Sequence, residues 1–74
     1  MRPKKSVSAE AVGTRVKGRR KALGLRQREA ADRAGVHVNT WRRVEQGRGH
    51  VELETMRRVA AALRYPLPTL TEGR

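Results

Sequence analysis

The chain is 74 residues long, which allows one domain and a small core near the lower size at which domains fold unaided. The absence of cysteine excludes disulfides and thiolate metal sites, and two histidines, His37 and His50, are too few for a histidine-only metal centre. Eighteen Lys and Arg against seven Asp and Glu leave a formal charge of +11, which points to a polyanionic partner, nucleic acid ahead of an anionic membrane.

The charge is uneven: residues 1 to 26 carry nine basic side chains and one acid, Glu10. Trp41 and Tyr65 are the only aromatics, so the core must be built from small aliphatics, which suits short packed helices better than a sheet. The expected fold class is all-α. MRPKKS is followed by VSAEAVG with no apolar h-region, so no secretory signal is expected. No apolar run approaches the ~20 residues that span a bilayer. The expected location is the cytoplasm, with the nucleoid, and no membrane partner is anticipated.

In chain order, residues 1 to 8 are basic and polar and read as a flexible arm. Ser8 can cap a first helix running to about Leu23, with Val12, Val16 and Leu23 on one stripe and Gly24 as its stop. Gly13 and Gly18 weaken that helix by roughly 1 kcal/mol each, so tertiary packing must hold it. A second helix, about Gln27 to Ala34, packs through Ala30, Ala31 and Ala34 and ends at Gly35. A third spans about Val38 to Gln46 and ends at Gly47. The fourth, about Leu53 to Leu63, is expected to bury Leu53, Met56, Val59, Ala60 and Leu63 at helical spacing. Glu52 and Glu54 sit favourably at its positive end. Pro66 and Pro68 restrict the rest to a short fifth turn on Leu67 and Leu70. One folded domain over residues 9 to 70 and a tail at 71 to 74 complete the chain.

Helices two and three are short and are joined by Gly35, Val36 and His37. A glycine-containing connection of that length is the turn of a helix-turn-helix, whose second helix enters the DNA major groove. At 100° per residue, Val38, Asn39, Arg42, Arg43 and Gln46 cover one arc of helix three, with Trp41 and Val44 opposite. Asn39 has the two-headed amide that pairs with adenine, and Arg42 or Arg43 can fork onto guanine. For Arg42 a phosphate contact is an equal alternative. Val38 can meet a thymine methyl or pack at the helix start.

RVKGRRKALGLRQREAADRAGV followed by NTWRRVEQG resembles the helix-turn-helix domain of lambdoid phage repressors and Cro proteins, widespread among bacterial regulators of the xenobiotic-response-element type. The similarity extends over about residues 12 to 70 and includes LGLRQ, AGV, VEQG and LETMRRVAAAL. It implies a compact lambda-repressor-like domain of four to five helices. In that family the glutamine opening helix two binds phosphate and braces the recognition helix, a place held here by Gln27. The base contacts of the family fall on Val38, Asn39 and Arg43, with Arg42 a further candidate. Its phosphate position at the recognition-helix exit falls on Gln46, next to Gly47 and Arg48. A buried ion pair found in some members matches Arg20 and Glu45.

The chain departs from the family at both helix starts. Arg26 and His37 replace the usual Thr, Ser or Asn caps, each an expected loss of about 1 kcal/mol. Ala30 stands where leucine is common, thinning the core, and Trp41 can refill that volume. No catalytic triad, phosphate loop or carboxylate pair can be assembled, so a binder is expected and not an enzyme, with no cofactor or metal. The expected function is a sequence-specific regulator of double-stranded DNA, a small repressor that binds its operator as a homodimer. The alternatives are an antitoxin that represses its own operon while holding a toxin, and a protein-interaction module on the same fold.

Overall fold

In the computed structural model, residues 9–71 are described and form five helices: α1 Ala9–Ala22, α2 Gln27–Ala34, α3 Val38–Gln46, α4 Leu53–Ala62 and α5 Leu67–Thr71. The arm expected at residues 1 to 8, the Ser8 cap and residues 72 to 74 lie outside the described residues. α1 packs on α3 and α5, α2 on α3 and α4, and α4 on α5. The chain thus closes an all-α cluster around Val16, Trp41, Val59, Leu63 and Leu70, all without solvent exposure.

The expected elements appear with small shifts. Val16 centres the α1 stripe, with Val12 and Leu23 half-buried beside the core. The alanine face of α2, Ala30, Ala31 and Ala34, is buried. Leu53 corrects the expectation for α4, because it is 59% exposed. It is the first helical residue, one turn ahead of buried Met56, where the stripe outruns the core. α4 ends at Ala62, and Arg64, at φ 54°, turns the chain so that Tyr65 N–H donates to the Ala60 carbonyl at 3.0 Å. Pro66 follows and cannot continue a helix.

The two expected cap losses are offset differently. His37 caps α3 after all: its Nδ1 accepts from the Asn39 N–H at 3.0 Å, which requires the neutral tautomer protonated on Nε2. At Arg26 no side-chain cap forms, but Glu29 Oε1 reaches back to the Arg26 N–H at 2.7 Å. That supplies half of a capping box and satisfies one orphan donor.

Two glycines let α1 and α3 approach closely. A Cβ at Gly13 would stand 2.6 Å from the Val44 carbonyl oxygen and would also collide with that of Glu45. A Cβ at Gly47 would lie 2.7 Å from Cα of Glu10. Gly13 therefore supports the fold through contact, whatever it costs in helix propensity. Gly18 has no atom within 4 Å of its would-be Cβ.

The junction this creates holds a buried carboxylate. Glu45 Oε2 accepts from Arg20 Nε and from Trp41 Nε1, both at 2.5 Å. Its Oε1 accepts from Arg20 Nη2 at 3.2 Å and from Gln27 Nε2 at 3.0 Å. Arg20 Nη1 continues to the Leu25 carbonyl at 2.8 Å. One carboxylate thus joins α1, α2 and α3, and the arginine also holds the α1–α2 connection. Arg20 and Glu45, expected as an ion pair, have side chains only 9% and 3% exposed. Burial pushes the Glu45 carboxyl up, but donors from Arg20, Trp41 and Gln27, with the Arg20 charge, outweigh it and hold the carboxyl below its ordinary value.

Two stability predictions follow from this junction. Gly18→Ala should raise the melting temperature, since alanine gains up to about 1 kcal/mol in an open helical site and about 1 kcal/mol moves a domain this size by 4–8 °C. Gly13→Ala should lower it, because α1 must move off α3; equal shifts in both variants would contradict the close packing. Glu45→Gln should cost about 3–5 kcal/mol at neutral pH by stranding the Arg20 charge. Because the folded carboxyl is depressed, the stability it contributes is complete above the ordinary carboxylate range and is lost as pH falls through the folded value. Urea titrations should therefore show the gap between wild type and variant narrowing below about pH 4. A gap independent of pH would mean that Glu45 is not ionised in the fold.

Candidate nucleic-acid interface

The site is organised by the turn between α2 and α3. Gly35 adopts a left-handed conformation, φ 71°, and Val36 N–H closes onto the Ala31 carbonyl at 3.0 Å. A residue with a Cβ resists that conformation, so glycine sets the angle at which α3 leaves. His37 is extended, with ψ 147°, and starts α3 through its ring nitrogen. Gly47, at φ 66°, ends α3 and turns the chain into Arg48.

α3 buries Trp41 and Val44 and nothing else. Asn39, Arg42, Arg43 and Gln46 are exposed, and Val38 is half-buried at the helix start. Arg48, just past the helix, is also exposed, while its backbone N–H returns to the Arg43 carbonyl at 3.1 Å. The residues expected to read bases and those expected at the helix exit therefore share one accessible side of a helix whose other side is fixed in the core. Arg43, Arg48 and His50 border an open groove of about 260 Å³ floored by Val12, Val44 and Met56.

Gln27 stands apart from the other candidates. It is half-buried at the first position of α2. Its Nε2 donates to Glu45, and its Oε1 accepts from Arg42 Nε at 3.4 Å. Arg42 Nη1 in turn donates to Asn39 Oδ1 at 3.3 Å. Hydrogen bonds thus run unbroken from the buried Glu45 carboxylate through Gln27 to Arg42 and Asn39 on the surface. The family resemblance implies that Gln27 braces α3, but not that it does so through Glu45 and Arg42.

Some of the positive charge faces inward. Arg15 Nη1 donates to the Leu70 carbonyl at 3.0 Å. Arg19 Nε donates to the Leu63 carbonyl at 3.1 Å, with its guanidinium 5.0 Å from the centre of the Tyr65 ring. Both groups donate to carbonyls at the C-terminal ends of α4 and α5, where a cation is favoured. Both belong to the +11 charge that points to a polyanion partner, and their i, i+4 spacing beside the Val12–Val16 stripe is the sequence signal that they lean against the fold. Among the described residues, no cluster of three or more His, Asp or Glu is placed to hold a metal ion. No helix there is long and apolar enough to cross a membrane.

The comparisons agree with this geometry. The family model described as a helix-turn-helix domain matches residues 11–72. The restriction-modification controller protein C.AhdI from Aeromonas hydrophila is 29% identical, with 84% of this chain and 94% of that one covered and a TM-score of 0.80. The N-terminal DNA-binding domain of SinR from Bacillus subtilis is 27% identical over 82% of this chain and 90% of that one, TM-score 0.76. The P22 c2 repressor, in complex with a synthetic operator, is 25% identical over 85% of this chain and 96% of that one, TM-score 0.77. No curated protein matches the chain by sequence. With the match running through the turn, both flanking helices and the cap helices α4 and α5, the chain belongs to the helix-turn-helix domain family and is of Cro/C1 type.

Proposed function

We propose that the protein is a sequence-specific double-stranded DNA-binding repressor that places α3 in the major groove. The observation that carries this reading is the division of α3: Trp41 and Val44 anchor it, and Val38, Asn39, Arg42, Arg43 and Gln46 are left on or beside its accessible side. An anchored helix presenting an amide and two guanidinium groups matches the donor and acceptor pattern of base edges in the major groove. Asn39 and Arg43 take adenine and guanine edges in this reading. Gln46 and Arg48, at the helix exit, take phosphates, which fix register without carrying sequence information. The α2 start at Gln27 is a second phosphate position, because a helix N-terminus presents its unpaired N–H groups to an anion.

One α3 spans only a few base pairs, so two copies on a two-fold operator are the natural stoichiometry. Repression follows from occupying a promoter and excluding polymerase. The likeness to the operator-bound P22 c2 repressor and to the DNA-binding domain of SinR supports this role over the antitoxin and interaction-module alternatives.

Selection from a random duplex pool should recover a two-fold-symmetric site. With about six to ten phosphates neutralised by a dimer, log K against log[salt] should have a slope of about −5 to −9. A slope near zero would instead favour a protein-interaction module. Asn39→Ala and Arg43→Ala should each cost about 1–3 kcal/mol on the selected site and relax preference at one position per half-site. Gln46→Ala should weaken all sequences by similar factors. If the Asn39 and Arg43 variants both fold and keep full preference, α3 is not the reader.

A further inference from the structure

The groove between the start of α1, the end of α3 and the α3–α4 connection combines two kinds of surface. Val44 and Met56, both buried, and Val12 and Val51, both half-buried, line it with apolar side chains. Arg43, Arg48 and His50 stand exposed on its border. The connection turns left-handed at Gly47 and again at Gly49, with φ 66° and 75°, so that it bends round the opening. None of the described residues that line the groove is acidic; Glu10 and Glu52, the next residues after Ala9 and Val51, are exposed outside it. A phosphate on the border would satisfy the cations and leave the valine and methionine surface wet. A purely apolar molecule would leave the guanidinium groups unused. The surface complements a ligand that carries both features, an anionic head and an apolar tail. Its volume of about 260 Å³ lies just under the roughly 300–1,000 Å³ of sites for drug-sized molecules, so the tail is short. A carboxylate only accepts hydrogen bonds and a guanidinium only donates them, so the head pairs with the border. Met56, flexible and polarizable, can adapt to the tail.

We propose that this groove binds a short-chain aliphatic carboxylate, its head on Arg43 and Arg48 and its tail on the valine and methionine surface, and that the bound carboxylate competes with DNA. The competition rests on the reading of α3 as the DNA-contacting helix; the binding itself does not. In that reading Arg43 takes a base edge and Arg48 a phosphate, and neither guanidinium can serve the carboxylate at the same time. An anion seated between them also cancels the local positive potential that attracts the DNA backbone. Occupancy of the groove therefore lowers the affinity for DNA, and bound DNA lowers the affinity for the carboxylate by the same factor.

The test titrates the full chain, without DNA, with acetate, butanoate, hexanoate and octanoate at constant ionic strength, followed by NMR. Saturable shifts should appear at the amides of Gly47, Gly49 and Val51 and at the Met56 methyl group. Each added methylene should tighten binding up to about fourfold until the groove is full. Hexanamide, which keeps the tail and lacks the charge, should bind more weakly than hexanoate. Val51→Glu places a carboxylate in the groove and should abolish hexanoate binding, with folding checked by thermal melts. Arg48 is exposed, so Arg48→Ala should fold, and it should weaken hexanoate but not hexanamide. By fluorescence anisotropy on a duplex selected from a random pool, hexanoate should raise the Kd for DNA in step with groove occupancy, beyond the effect of equal acetate. The proposal is overturned if acetate and octanoate act alike, if the shifts spread over the whole surface, or if both variants bind hexanoate as wild type does. It also fails if these resonances respond only to duplex, which makes the groove a DNA contact, or only to protein concentration, which makes it a contact between copies. Hexanoate binding that leaves the DNA affinity unchanged would remove the competition. A protein that takes hexanoate but binds no DNA would remove the proposed function and leave the carboxylate site standing.

Discussion

The Glu45 carboxylate is the contact on which the remaining structure depends. It stands where α1, α2 and α3 meet, and its four hydrogen bonds come from a residue of each. The core around it is made largely of alanine and valine, whose small side chains bury little area and set few orientations. A charged junction is a weak net source of stability, because desolvation offsets much of the attraction, yet it tolerates almost no alternative geometry. In a domain with so small a core, it adds a hydrogen-bonded constraint on α3 to the apolar anchoring by Trp41 and Val44. Gly13 and Gly47 make the junction possible by letting the α1 backbone approach the end of α3.

The same carboxylate reaches the surface. Through Gln27 it orients Arg42, and through Arg42 it meets Asn39. The residues that hold the fold and those that face outward are therefore parts of one hydrogen-bonded series. A substitution at Glu45 is expected to change both, whereas one at Trp41 or Val44 acts first on stability. The positive charge divides in a similar way. Arg15, Arg19 and Arg20 close helix ends or pair inside the domain, and the charge available to a polyanion lies on α3, its exit and the remaining surface.

Much of the fold was legible from the sequence. The helix stops at Gly24, Gly35 and Gly47 and the 3.6-residue spacing of Met56, Val59, Ala60 and Leu63 depend on local chemistry, which a sequence displays directly. What it did not display depends on neighbours. Leu53 continues the apolar stripe of α4 but lies beyond the core that would cover it. Gly13 reads as a weak helix residue, and only the approach of α3 shows why a side chain is excluded there. His37 reads as a lost cap because a histidine caps only in the right rotamer and tautomer. For the interface, the helical arc of Asn39, Arg42, Arg43 and Gln46 was visible as periodicity. That Gln27 braces α3 is implied by the family resemblance, whereas its partners there, Glu45 and Arg42, lie on another helix and were not visible.

The central claim is that a helix fixed by the Glu45 junction presents its outer arc to DNA. The most direct measurement is a crystal structure of the protein bound to a duplex selected from a random pool. The account predicts α3 in the major groove, Asn39 and Arg43 at base edges, and Glu45 still bonded to Arg20, Trp41 and Gln27. A duplex lying on another face, or a Glu45 junction opened on binding, would contradict it.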